Sequence, residues 1–335
     1  MDVRQDTEFL GRGEELYQLI RNLVRGRHTL ITGPKGIGKT RLMQESIAVL
    51  QGTKKHIGLS VRLTNRLKGN LGMRISPGQY RIIFVTRSSP LGDCMREIAE
   101  WLYGMNCLRL GTIAPAAGDW ASVRKQLTGL GSVRVQEIIV ESIRQQSPPV
   151  LLYFDSLDRI APSSQLFLEE LLASAVICAA AVHPKTAFHF RKIWSSFSRI
   201  ELGGFNEETA GQLIRHCVEI AGMRVVDPEL YTREILKSAN GNPFQINNLI
   251  WHGSREAHLT SDEIRKVRRT EEGELFNMGP IYILLASVLT LFKIFSFGTD
   301  NREFYIYFSA LGFIVYLTFR VFRTFFLFKP QRFNS

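Results

Sequence analysis

The chain has 335 residues, 45% hydrophobic and 22% charged, with a formal net charge of +11. That length holds one large domain with appendages or two ordinary domains, and that balance excludes an intrinsically disordered chain. The positive excess points to polyanions or an anionic membrane surface as partners and says nothing of fold.

Cys94, Cys107, Cys178 and Cys217 lie far apart with no CxxC pair, so they read as buried, reduced thiols. The opening MDVRQDTEF is polar and acidic and lacks the apolar run of a secretory signal. Residues 8–24 then read as a loop leading into an amphipathic helix. HTLIT (28–32) is a short β-rich run closed by glycine, and residues 40–50 have helical spacing of their apolar positions. Residues 52–81 differ in composition. Lys54, Lys55, Arg62, Arg66, Lys68, Arg74 and Arg81 occur there without any Asp or Glu, which reads as an inserted surface hairpin or loop.

RIIFVT (81–86) is a strand, and LGDCMREIAEWLYG after it a helix. Residues 105–132 read as loops with a short helix, and VRVQEIIVESIRQQ as a helix stopped by Pro148 and Pro149. VLLYF (150–154) is almost wholly apolar, as in a strand covered on both faces. PSSQLFLEELLAS reads as a helix capped by Ser163 or Ser164, AVICAAAV as a buried strand and RIEL (199–202) as a last short one. Alternating strands and helices imply a parallel α/β sheet. After Gly203 and Gly204 the pattern turns purely helical, giving a small lid.

The tail differs again. Residues 281–297 and 304–319 are apolar and aromatic runs, with Lys293 the only charge in the first and the short link GTDNRE between them. Each approaches the roughly 17–25 residues of a membrane helix, and the link fits a tight helical hairpin. A buried core hairpin is the alternative, but two such runs would lack a polar face. Arg265, Lys266, Arg268 and Arg269 before the first run, and Arg320, Arg323, Lys329 and Arg332 after the second, put both ends on the cytoplasmic side.

The expected organisation is an α/β core over 1–205 with the 52–81 insertion and a helical lid over 206–272. Two membrane helices follow within 279–328 (about 279–297 and 304–323), then a tail over 329–335. The chain is thus expected to be an integral membrane protein with its main domain in the cytoplasm.

GPKGIGKT, spanning Gly33, Pro34, Lys35, Gly36, Ile37, Gly38, Lys39 and Thr40, is a phosphate-binding loop in its required strand–turn–helix setting. The glycines let backbone N–H groups approach phosphate, and Arg41 follows on the same helix. Lys39 is placed for the β- and γ-phosphates of ATP, and Thr40 for magnesium. Asp155, at the tip of the buried strand, is the matching acidic residue for the metal. Asp158 is a candidate for orienting the attacking water, with a helix or turn cap as the alternative.

These residues resemble the AAA+ and STAND branch of P-loop ATPases, akin to archaeal and origin-recognition types. FLGRGEEL (9–16) looks like the family's N-terminal box, which implies that Phe9 and Leu10 pack near adenine. FDSLDRI looks like the Walker B element and like the DDLDR form of the KAP ATPases. ANGNPFQI is similar to the G-x-P motif of STAND lids, implying a nucleotide contact by Pro243. Arg199 stands where related ATPases often carry a trans-acting arginine; a solvated strand-edge charge is the other reading. His183 closes the AVICAAAV run without the usual polar sensor and is read as structural. Ser156 occupies the place of a common catalytic glutamate, implying slow hydrolysis or a helping partner. In this sequence neither a winged-helix module nor a repeat array follows the lid, and the apolar segments are not placed as in KAP proteins.

The resemblance implies ATP and magnesium as cofactors, and a homo-oligomer or another protein as partner. Three functions are open. One is an ATPase switch held at membrane lipid; another is a nucleotide-dependent scaffold with little turnover. The third is an ATPase tethered to nucleic acid by the basic 52–81 segment, which a solvated loop or anionic lipid explains equally well.

Overall fold

A computed structural model describes residues 9–52, 78–110, 119–158, 162–182, 191–223 and 225–254, with seven further residues in the tail. The chain divides into one unit ending at Arg268 and a second from Arg269 to Ser335. In the second unit the described residues, 288, 290, 306, 307 and 311–313, are helical. No helix among the described residues is long and apolar enough to cross a membrane. The two apolar runs of the tail lie almost wholly outside the described residues, as do most of the basic insertion, residues 255–287 and His183.

The first unit is a parallel α/β sandwich with a helical appendage. Its strands are β1 (Thr29–Thr32), β2 (Arg81–Val85), β3 (Val150–Phe154), β4 (Val176–Ala181) and β5 (Ser198–Glu201). They form a five-stranded parallel sheet in the order β2-β3-β4-β1-β5. Strand β4 therefore lies between β1 and β3. Connections leave β1 toward β2 on one side and reach β5 on the other, so the carboxyl end of β1 is the switch point where such sheets take ligands.

Strand alternation feeds two cores. Leu151 and Tyr153 of β3 and Ile31 of β1 join Leu19 and Leu23 of α1 (Gly13–Val24) and Leu42 and Met43 of α2 (Lys39–Gln51). Leu152 and Phe154 face the other way, toward Ile98 of α3 (Leu91–Gly104) and Val123 of α4 (Trp120–Gly129). Ile139 of α5 (Ser132–Arg144), Leu171 of α6 (Gln165–Ser174) and Ile193 of α7 (Arg191–Ser195) complete that face. No residue of β3 is more than 1% exposed, which explains its unbroken apolar sequence. Tyr153 keeps its hydroxyl in this core by pairing it with Ser46 at 3.1 Å. Burial holds that phenol well above its ordinary pKa.

The four cysteines are buried and unpaired, as expected. Helix α6 departs from expectation at its start. A 3-10 turn over Pro162–Ser164 precedes it, and Ser164, although at the cap position, makes no capping hydrogen bond. Its αR backbone carries the chain straight from the 3-10 turn into the helix, without the extended residue that ordinarily presents a capping oxygen.

The lid is α8 (Glu207–Ile220), α9 (Pro228–Ala239) and α10 (Pro243–Gly253) around its own core, which includes Ile214, Tyr231, Ile235 and Ile250. Each helix starts on a side-chain cap: Asn206 accepts from Thr209 N, Asp227 from Leu230 N and Asn242 from Phe244 N. Pro228 and Pro243 take the first helical positions, where no N–H is missed.

Candidate nucleotide site

The Gly33–Gly38 link must bring the chain from β1 directly into α2. Gly38 has φ 102° at the helix N-cap, a conformation that strains any other residue. Gly36 is required for space. A Cβ there would lie 2.7 Å from the Phe244 Cβ and 3.1 Å from Asn242 Oδ1.

Each carbonyl from Gly33 to Ile37 accepts a hydrogen bond from a side chain or from the lid. Lys39 Nζ donates to Gly33 O at 2.7 Å and Pro34 O at 2.9 Å. Asn242 Nδ2 donates to Lys35 O at 3.0 Å, and the Phe244 N–H to Gly36 O at 3.3 Å. Arg12 Nη2 reaches Ile37 O at 3.5 Å. Across a trans peptide a carbonyl and the next N–H point in opposite directions. The N–H groups of Lys35, Gly36 and Gly38 are turned away from these contacts, and together with that of Lys39 they make no hydrogen bond among the described residues. Together with the start of α2 they form a nest suited to phosphate.

Burial lowers the pKa of Lys39, and the charges of Asp158 and Asp155 oppose that shift. Thr40 Oγ1 donates to Asp155 Oδ1 at 2.5 Å, spanning the width of β4. The Asp155 N–H donates to Val85 O at 3.0 Å, which holds the residue at the strand tip. Asp158 is differently engaged. Its Oδ1 accepts from Val182 N at 2.6 Å and its Oδ2 from Ser156 Oγ at 3.2 Å. The carboxylate ties the loop after β3 to the end of β4, the work of a turn cap.

Arg199 lies on the exposed edge of β5, level with Leu30 of β1. Gly33 follows the end of β1, three residues beyond Leu30 and about 10 Å at roughly 3.3 Å per residue. Among the described residues the Arg199 side chain makes no hydrogen bond or ion pair.

Beside the loop a cleft of about 210 Å³ opens between core and lid. Phe9, Leu10 and Arg12 line it from the N-terminal box, and Gly36, Ile37, Gly38 and Arg41 from the loop and α2. Arg41 is itself held by the buried Glu45 at 3.1 Å. Phe205, Leu213, Pro243, Phe244 and Asn247 close the lid side. Of these, Arg12, Phe205, Leu213, Phe244 and Asn247 were not singled out from sequence. Neither was Asn242, which bonds the loop from just outside the cleft. An asparagine before Pro243 signals a helix cap, but its second bond to Lys35 O has no local sequence signature.

Arg12 joins three elements. It is 6% exposed. It donates to Gly203 O at 2.6 Å, pairs with Glu15 at 3.1 Å and lies 4.7 Å above the Phe205 ring.

A phosphate-binding loop at the switch point of a parallel sheet, with a threonine–aspartate pair beside it, defines a P-loop nucleotide-binding protein. The AAA ATPase domain family matches residues 8–177, and the chain belongs to that family. Among solved structures it is similar to domain III of the Thermotoga maritima replication initiation protein DnaA. The TM-score is 0.43, with 15% identity, covering 78% of this chain and 93% of that one. It is also similar to a mutant form of Thermotoga maritima RuvB, at TM-score 0.38 and 13% identity, covering 78% of this chain and 71% of that one. No curated protein matches the chain in sequence.

Proposed function

We propose that the chain binds ATP with magnesium between the phosphate loop and the lid, as an AAA+ ATPase switch of STAND type. The observation that carries this reading is the unpaired N–H nest of the loop beside Lys39 and the Thr40–Asp155 pair. Lys39 and the nest would neutralise the phosphates. Thr40 and Asp155 offer the hard oxygen donors that magnesium accepts, and this metal commonly completes its shell with phosphate and water. Held by these two residues, the metal would supply positive charge to offset that of the phosphates. The bonds from Asn242 and Phe244 to the loop carbonyls give the lid a direct stake in loop geometry, and so in the nucleotide state.

A specific observation favours the second reading, a nucleotide-dependent scaffold with little turnover. Ser156 offers no carboxylate, and both oxygens of Asp158 are already engaged. Arg199 enters the reading only in trans, from a neighbouring molecule in an assembly. Membrane anchoring rests on the apolar runs 281–297 and 304–319 of the sequence. Phosphate release by the purified protein, compared with its Asp155→Asn variant, separates the two readings. Magnesium-dependent release lost in the variant supports an ATPase. ATP binding without release supports the scaffold.

A further inference from the structure

We propose that Glu97 of α3 is a positioning residue for the metal ligand Asp155, acting through the turn that follows β2. This rests on the magnesium reading above and names the part of the chain that holds that ligand in place.

The turn over residues 86–90 joins β2 to α3. Its first N–H groups have left the sheet and need acceptors elsewhere. Glu97, two turns into α3, supplies them. Its Oε1 accepts from the Thr86 N–H at 2.9 Å and from Thr86 Oγ1 at 2.8 Å, and its Oε2 from the Arg87 N–H at 2.9 Å. A carboxylate that accepts on both oxygens fixes position and direction together, and its charge strengthens each bond. A glutamate within a helix is ordinarily a solvated surface charge. Here its neighbours Ile98 and Ala99 are fully buried, so the carboxylate projects from a backbone fixed in the core.

The chain so held grips the Asp155 segment at two points. Just before the turn, Val85 O accepts the Asp155 N–H at 3.0 Å. Within the turn, Ser88 Oγ donates to the carbonyl of Ser156, one residue beyond the ligand. From the opposite side the Leu157 N–H donates to Ala180 O at 2.8 Å, so Ser88 supplies the balancing tie toward β2. Asp155 is thereby kept where its Oδ1 meets Thr40 Oγ1. Magnesium tolerates little departure from octahedral geometry. A loosened turn should therefore cost metal binding and spare the phosphate loop, with which it shares no hydrogen bond among the described residues.

The test titrates the full-length protein with ATP by calorimetry, in magnesium and in EDTA. The wild type is expected to bind more tightly in magnesium. Glu97→Gln keeps the shape but cannot accept with both end atoms. Its magnesium tightening should shrink about fivefold, less than the roughly 10–100-fold usual for a group bonded directly to a metal ligand, while affinity in EDTA stays within about twofold. Ser88→Ala should do the same, and Ser88→Thr, which keeps the hydroxyl, should behave as wild type. Should Glu97→Gln not fold, these two decide alone. Because Glu97 and Ser88 act in series, the double variant should also lose about fivefold; a loss near 25-fold, the product of independent roles, overturns the series. Magnesium tightening that is unchanged in Glu97→Gln or Ser88→Ala but abolished in Asp155→Asn overturns the positioning role and leaves the metal reading standing. An equal loss in magnesium and EDTA also overturns it, because the turn would then serve the fold as a whole. A wild type that magnesium does not tighten overturns both.

Discussion

In the proposed site Lys39 and Asp155 would act on the same ligand through opposite charges, so their removal should have separable effects. Lys39→Ala takes away the ammonium that bonds Gly33 O and Pro34 O. ATP binding should fall about 100-fold or more, near 2.7 kcal/mol, in a calorimetric titration. An unchanged affinity would remove the loop from the site. Asp155→Asn keeps the shape and can still accept from Thr40, but lacks the charge a metal needs. In EDTA its ATP affinity should stay within about threefold of wild type, while the tightening that magnesium gives the wild type disappears. Persistent magnesium enhancement would place the metal elsewhere. Their positions were legible in the sequence, Lys39 from the loop motif and Asp155 from the end of an apolar strand. The engagement of Asp158 was not, since its partner Val182 lies just beyond the end of β4. The same holds for Asn242, whose local signature accounts for one bond and whose fold supplies the other.

Helix α10 meets the phosphate loop at a distance that admits only glycine on the loop side. Gly36→Ala combines a positive φ of 81° with a Cβ pressed on Phe244. The helix start should be displaced, breaking the bonds to Lys35 O and Gly36 O. Hydrogen exchange over residues 242–246 should then quicken and ATP binding weaken. Protection equal to wild type would show that the loop, not the lid, absorbs the added methyl. Most elements could be placed from hydrophobic period and from the proline and glycine breaks between them. The insertion of β4 between β1 and β3 could not, because these three strands are each apolar enough for a central position and their order is decided only by the packed sheet. The two-sided burial of β3 was readable for the opposite reason: a strand with no polar residue has no face to give to water.

At the scale of the whole chain, the unit ending at Arg268 contains the phosphate loop, the lid and their cores. Removing residues 279–335 should therefore leave a protein that binds ATP with unchanged affinity. If the tail is a membrane hairpin, the full chain should sediment with membranes and the truncated one should not. Recovery of both in the same fraction would refute the anchor. Its topology is testable with a single cysteine at Thr299 in a background lacking the four native ones. Labelling by an impermeant thiol reagent on intact cells is expected, and labelling only after lysis would contradict an outside link. Within the first unit, Arg12 grips the β5-to-lid connection, the loop and α1 at once. A buried guanidinium that loses Gly203 O without a replacement acceptor costs about 1–3 kcal/mol. Opening of the lid is therefore expected to meet resistance at Arg12 until the guanidinium gains another oxygen, which makes this residue a latch on core and lid.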